Sequence, residues 1–224
     1  MKKKKTIIPK KPKKEKINAV HYWAQRDISE MADYWETLTH KHRDLLMTAF
    51  GRFGGQFESV LDIGCNFGIN IIRLRNTFPE LKDYNLHGID VSLVAINEAK
   101  DKLPAVDYQV ADVNEGLVFP DKSIDIVLTD ATLIYITDKM IKKVIGDICR
   151  VAKKAIILCE FADKSELGKA DGIYWNRDYK KLLEKEGWDV ETIKITKDIW
   201  DDPNWSGKGM VYIAVPRSQT LKKK

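Results

Sequence analysis

The chain has 224 residues, a length that suits one α/β domain built on a single core. Its 44% hydrophobic and 32% charged residues exclude a collagen-like chain, a disulfide-stapled miniprotein and a wholly disordered protein. The net charge of +5 is uneven: residues 1–17 carry nine lysines against one glutamate, and residues 217–224 carry Arg217 and Lys222 to Lys224, which leaves an acidic body at −7.

An acidic body disfavours a nucleic-acid face on the fold itself. RNA or an anionic membrane could be engaged only through the lysine-rich tails, whose plainer role is to solubilise the ends. No apolar run approaches the roughly 18 residues of a membrane helix, and Thr6-Ile7-Ile8-Pro9 is too short for a signal-peptide core, so a cytoplasmic protein is expected. Cys65, Cys149 and Cys159 form an odd set without a CxxC pair, which fits a reducing compartment and argues against structural zinc.

In chain order, a disordered tail over 1–17 is expected to precede one domain over 18–216, and a basic tail follows over 217–224. Within the domain, residues 18–55 read as a helical cover. An aromatic, mixed-charge stretch from His21-Tyr22-Trp23 to Trp35 leads into a helix with Leu45, Leu46, Ala49, Phe50 and Phe53 at helical spacing. Val60-Leu61-Asp62-Ile63 reads as a strand, and residues 69–78 as a helix stopped by Pro79. Strands at 86–90, 108–111, 124–129 and 155–159 alternate with helices near 93–103 and 139–151, the signature of a parallel sheet covered on both faces. A helix over 177–186, closed by Gly187, then precedes strands at 190–195 and 210–215. No helix separates these two, so they should pair antiparallel at one sheet edge.

In open parallel sheets, ligands bind beyond the carboxyl ends of the strands, usually after the first. Here that strand runs into Asp62-Ile63-Gly64-Cys65-Asn66-Phe67-Gly68-Ile69-Asn70. Gly64 and Gly68 permit a tight turn and close backbone approach, and Asn66 tolerates an unusual backbone angle. Counting from Gly64 puts Asn66 and Ile69 where a nicotinamide fingerprint needs glycines, and no Gly-Lys-Ser/Thr follows to make a phosphate loop. Asp90 ends the second strand 26 residues after Gly64, where a carboxylate can accept hydrogen bonds from both hydroxyls of a ribose. Either Asp90 or Asp112, taken alone, could be a helix cap or turn residue.

Together these segments resemble the class I S-adenosylmethionine-dependent methyltransferases, with Asn66 replacing the middle glycine of their DxGxGxG motif. The resemblance implies a Rossmann-like α/β fold with seven mostly parallel strands in the order 3-2-1-4-5-7-6 and an antiparallel terminal hairpin. It implies S-adenosylmethionine as cofactor and S-adenosylhomocysteine as product. The implied cofactor residues are Asp62, Gly64, Cys65, Asn66, Gly68, Asn70, Asp90 and Val91, with Asp112 and the Val113 amide at the adenine. Asp130, at the end of the fourth motif, would lie at the methionyl end or the reaction centre. Tyr135 stands where many small-molecule members carry a histidine, and it is either a catalytic group or a packed aromatic. Methyl transfer is an in-line displacement from a sulfonium, so alignment and desolvation can supply much of the rate.

Thr129-Asp130-Ala131-Thr132 lacks the Pro-Pro pair of amino-methylating base enzymes, Cys149 and Cys159 look like core residues, and Glu160-Phe161-Ala162-Asp163 does not match a catechol-type metal site. No metal is expected. Gly64 to Asn70, Leu133-Ile134-Tyr135-Ile136 and Asp202-Pro203-Asn204 are similar to methylases of bacterial surface-sugar biosynthesis, of the pseudaminic-acid type. That implies a sugar-derived or other small-molecule acceptor, methylated on oxygen or nitrogen by a monomer or homodimer. The segment 198–205 and Tyr174-Trp175-Asn176-Arg177 could wall the acceptor, although any single tryptophan there could simply pin a loop. His40 and His42, two residues apart, should point to different helix faces; either could reach the cofactor mouth, while His21 and His87 read as structural. Two other readings stay open: an RNA or protein methyltransferase recruited by the tails, and a catalytically silent binding subunit of the same fold.

Overall fold

The computed structural model describes residues 18–27, 40–162, 167–168, 170–171, 174–203 and 205–219. The tail over 1–17, the end of the basic tail, Trp35, Asp163 and Asn204 lie outside the described residues. Helix α1 (Ala19–Gln25) starts at Asn18, whose side chain accepts from the amides of Val20 and His21, and α2 (Lys41–Gly51) follows. The alternating part runs β1 (Val60–Ile63), α3 (Ile69–Thr77), β2 (Leu86–Asp90), α4 (Leu93–Lys102), β3 (Asp107–Val110), β4 (Ile124–Asp130), α5 (Ile141–Val151) and β5 (Ala152–Phe161). A two-residue-per-strand hairpin, β6 (Ala170–Asp171) and β7 (Tyr174–Trp175), precedes α6 (Tyr179–Lys185), β8 (Trp188–Lys194) and β9 (Gly209–Pro216).

The main sheet has seven strands in the order β3-β2-β1-β4-β5-β9-β8. Neighbours among β1 to β5 pair parallel, whereas β9 pairs antiparallel with both β5 and β8. With the small β6-β7 hairpin set aside, this is the expected 3-2-1-4-5-7-6 order and terminal hairpin.

Each inner strand is apolar on both faces because helices cover both. Val60, Ile126, Leu128 and Ile157 pack with Leu46 and Phe50 of α2, Ile71 and Leu74 of α3 and Ile96 of α4. Leu61, Ile63, Val127 and Leu158 point the other way, onto Ile145 and Ile148 of α5 and Tyr179 and Leu183 of α6. Asp62 alternates with Leu61 and Ile63, so its side chain projects from the face that α2 and α3 cover.

Two departures from the sequence reading have local causes. β5 begins at Ala152 rather than 155: Ala152 pairs with Ile124, and a register irregularity between Ile124 and Ile126 absorbs Lys153 and Lys154. Lys154 is held there by Asp125 at 3.0 Å. α6 begins at Tyr179 rather than 177, because Asp178 caps it by accepting from the Lys181 amide.

Candidate active site

The loop from β1 to α3 folds as a cradle of bare backbone. The amides of Gly64 and Cys65 both donate to the Ile89 carbonyl, at 2.8 and 3.0 Å. Gly64, Asn66 and Gly68 all take positive φ, at 73°, 51° and 74°. Gly64 is required twice over, since a Cβ there would also run into the Thr132 side chain. Gly68 and Gly88 both face the ring of Tyr108, which is buried beneath the loop. Gly64→Ala is expected to destabilise the fold by about 3 kcal/mol, part strain and part clash. Thermal unfolding of the Gly64→Ala, Thr132→Ala double variant should recover the clash but not the strain.

At the ends of β2 and β3 the two acids stand in order. Asp90 accepts from the Asn66 amide at 3.0 Å through one oxygen and from the Ser92 amide at 2.9 Å through the other. A carboxylate has about four acceptor positions, so both oxygens keep capacity for a ligand's hydroxyls. Burial raises the Asp90 carboxyl above its ordinary value, against the pull of these amides. Asp112 turns back on Asn114, accepting from its amide at 2.9 Å and its side chain at 2.8 Å through the same oxygen.

Deeper on the α2-α3 face lies a polar cluster. Asp130 takes His42 Nε2 at 3.1 Å and Asn70 Nδ2 at 3.3 Å on one oxygen. Arg43 Nε is 3.9 Å from that oxygen and donates to Asn70 Oδ1 at 3.1 Å. Burial alone would raise the Asp130 carboxyl, but His42, Arg43 and Asn70 hold it well below the usual carboxylate range. Asp62 is its opposite. It is 0% exposed and neither carboxylate oxygen has a hydrogen-bond partner. Desolvation, then repulsion from Asp130, pushes its carboxyl well up, with Asn70 and Arg43 acting the other way.

Aromatic rings close the far end. His42, Trp200, Trp205 and Phe161 form a continuous stack, with centroid separations of 3.9, 4.4 and 4.4 Å. Across from it, Tyr135 meets Trp23 of α1 at 5.1 Å and Tyr174 of β7 at 5.3 Å. His40 also borders the stack, 5.3 Å from Trp200; burial, then the His42 and Arg43 charges, lower its imidazole to about 4. The two histidines converge rather than diverge, their rings 5.5 Å apart, because His40 is the N-cap of α2 and not a residue of the helix.

One cavity of about 880 Å³ joins these parts. Of the cofactor and catalytic residues expected from the sequence, Gly64, Cys65, Asn66, Asn70, Asp90, Val91, Asp112, Val113, Asp130 and Tyr135 line it, and so do His40 and, from the expected acceptor walls, Tyr174, Trp175, Asn176, Trp200, Asp202 and Trp205. Asp62 and Gly68 are not on its wall; they lie behind it. Trp23, His42 and Arg43 line it too, although no residue pattern pointed to Trp23 or Arg43. The only available signal for them was the density of aromatic and basic residues in the helical cover.

Residues 60–155 match the family profile described as a methyltransferase domain. The chain is 30% identical over 125 residues to protein 235L of Invertebrate iridescent virus 6, which bears a methyltransferase name. That alignment takes in 55% of this chain, and the chain spans about two fifths (42%) of the viral protein's length. Among solved structures, an S-adenosylmethionine-dependent methyltransferase from Aquifex aeolicus is similar with a TM-score of 0.60 at 20% identity, covering 85% of this chain and 98% of that one. Magnesium protoporphyrin IX methyltransferase from Synechocystis PCC 6803, solved with bound S-adenosylmethionine, gives a TM-score of 0.65 at 17% identity, covering 89% and 98%. The chain thus has the class I S-adenosylmethionine-dependent methyltransferase fold, and residues 60–155 of it carry the methyltransferase-domain match.

Proposed function

We propose that the chain is an S-adenosylmethionine-dependent methyltransferase that moves a methyl group to an oxygen or nitrogen of a small molecule. The observation that carries this reading is a cavity, continuous among the described residues, that joins a bare-backbone cradle flanked by Asp90 and Asp112 to an aromatic chamber. The residues fit the cofactor: a side chain at Gly64 has no room, and Asp90 has spare acceptor capacity. When bound, S-adenosylmethionine would supply a sulfonium methyl to the acceptor's lone pair, the C–S bond pair staying on sulfur and the acceptor's O–H or N–H proton leaving to solvent.

The chain's own residues bind, align and exclude water. Asp90 accepts from the ribose hydroxyls, and Asp112 with the Val113 amide faces the adenine. Asp130 is held ionised, which suits a fixed negative charge beside a cationic methionyl group and makes it a poor proton acceptor at neutral pH. Burial lifts the Tyr135 hydroxyl above its ordinary range, so it stays protonated and serves as a donor or a packed wall. Rate then comes from alignment and desolvation within the aromatic chamber. A sugar-derived acceptor, the finer resemblance in the sequence, is compatible with aromatic walls, but neither the description of the matched family nor the names of the relatives given above specifies a sugar.

Calorimetric titration of the full chain with S-adenosylhomocysteine tests the reading. Micromolar binding with no heat from NAD is the expected result. Binding of NAD in its place, or no binding of S-adenosylhomocysteine, overturns it.

A further inference from the structure

Two buried charged side chains, unused in the reaction above, hold the segment that follows β4. Glu160 is 0% exposed. Its Oε1 accepts from Thr129 Oγ1 at 2.7 Å and from the amides of Thr132 and Leu133 at 3.1 and 2.9 Å. Its Oε2 accepts from the Ile134 amide at 3.2 Å. Arg177, also buried, donates Nη2 to the Ile136 carbonyl at 2.7 Å and Nη1 to the Leu133 carbonyl at 3.4 Å. The segment between them is a single 3₁₀ turn, Leu133–Tyr135. A carboxylate thus sits on its amide end and a guanidinium on its carbonyl end, each matching the local peptide dipole.

The clamped segment touches both halves of the cavity. Thr132 packs on Gly64 of the cradle, and Ile134 and Tyr135 line the wall. We infer that Glu160, with Arg177, is a positioning residue that holds the 131–136 segment against the cofactor cradle, so that the acceptor wall and the cofactor site are set together. This rests on the methyltransferase reading and deepens it.

Protonating Glu160 would turn one acceptor oxygen into a donor facing an amide, so the clamp should loosen as the group takes up a proton. Burial, partly offset by the Leu133, Thr129 and Thr132 bonds, lifts its carboxyl to about 7. The titratable or charged groups around it are Asp130 on β4, Tyr135 on the clamped turn, Cys159 on β5, Tyr179 on α6, Tyr212 on β9, and Arg177. Glu160→Gln keeps the Oε1 acceptor and places an NH₂ at the Ile134 amide, which mimics the protonated state at every pH.

The test is S-adenosylhomocysteine affinity, by calorimetry, from pH 5.5 to 8.5. Wild type should weaken about 10-fold as pH falls through 7, and Glu160→Gln should already be about 10-fold weaker at pH 8.5 and lack that 10-fold step, the loss of one charge-assisted hydrogen bond; any smaller change left in the variant belongs to Asp90, whose carboxyl is also raised. Thr129→Val removes a single bond and should weaken binding about 3-fold with the pH step retained. If Glu160→Gln unfolds, Thr129→Val alone decides: unchanged affinity overturns the inference. Wild-type affinity at pH 8.5 in Glu160→Gln, or the full 10-fold step near pH 7 persisting in it, also overturns it. Failure of wild type to bind the nucleoside at any pH sinks the methyltransferase reading instead, so the two failures are distinguishable.

Discussion

Replacing Asp90 by alanine is expected to abolish S-adenosylhomocysteine binding, with a loss of about 100-fold or more, because two charge-assisted hydrogen bonds to the ribose disappear together. A second effect adds to the first. Asp90 also ties the Asn66 and Ser92 amides, so alanine frees the backbone of the cradle at Asn66, a residue already at φ 51°. Asp90→Asn keeps one acceptor oxygen and should fall between wild type and alanine. Calorimetry at a temperature where all three proteins are folded separates lost contacts from lost structure. Equal affinity in Asp90→Ala and wild type would remove the ribose assignment.

Asp62→Asn should stabilise the protein at neutral pH. The wild-type carboxyl group is fully buried beside the ionised Asp130, with only Asn70 and Arg43 to offset desolvation and repulsion, so ionising it is costly. Removing the charge should raise the unfolding free energy at pH 7 by about 1–3 kcal/mol. The sign of the pH dependence follows from the raised carboxyl: this group's contribution is fully present below its unfolded value near 4 and is lost as pH rises through the higher folded value. Urea denaturation at pH 5 and pH 8 should therefore show wild type losing more stability than the variant as pH rises. A variant less stable than wild type at pH 7 would mean that the charge has compensation other than Arg43 and Asn70.

The parallel half of the fold was legible because β1, β2 and β4 are short, mostly apolar runs that end at Gly64, Asp90 and Asp130, and the expected bounds of β1 and β2 coincide with those observed. The cradle was legible because backbone conformation restricts residue type, and Gly64, Asn66 and Gly68 all sit at positive φ. The β6-β7 hairpin was missed because two residues per strand carry no periodicity. The meeting of His42 with Trp200 was illegible for another reason. It joins residues from opposite ends of the chain, and neither carries a motif. Glu160 was read only as a failed metal match: a lone acid on a strand shows its purpose only when the four donors around it are placed.

The position of β9 has a consequence for biosynthesis. Of the seven strands in the sheet it leaves the ribosome last, yet it sits between β5 and β8 rather than at an edge. Until it arrives, β5 presents the open flank of Leu158, Cys159 and their neighbours, where β9 will later pair. Nascent chains stalled before residue 209 should therefore be holdase clients with a sticky flank, and nonsense truncation within this strand should yield inclusion bodies rather than a soluble, weakened enzyme.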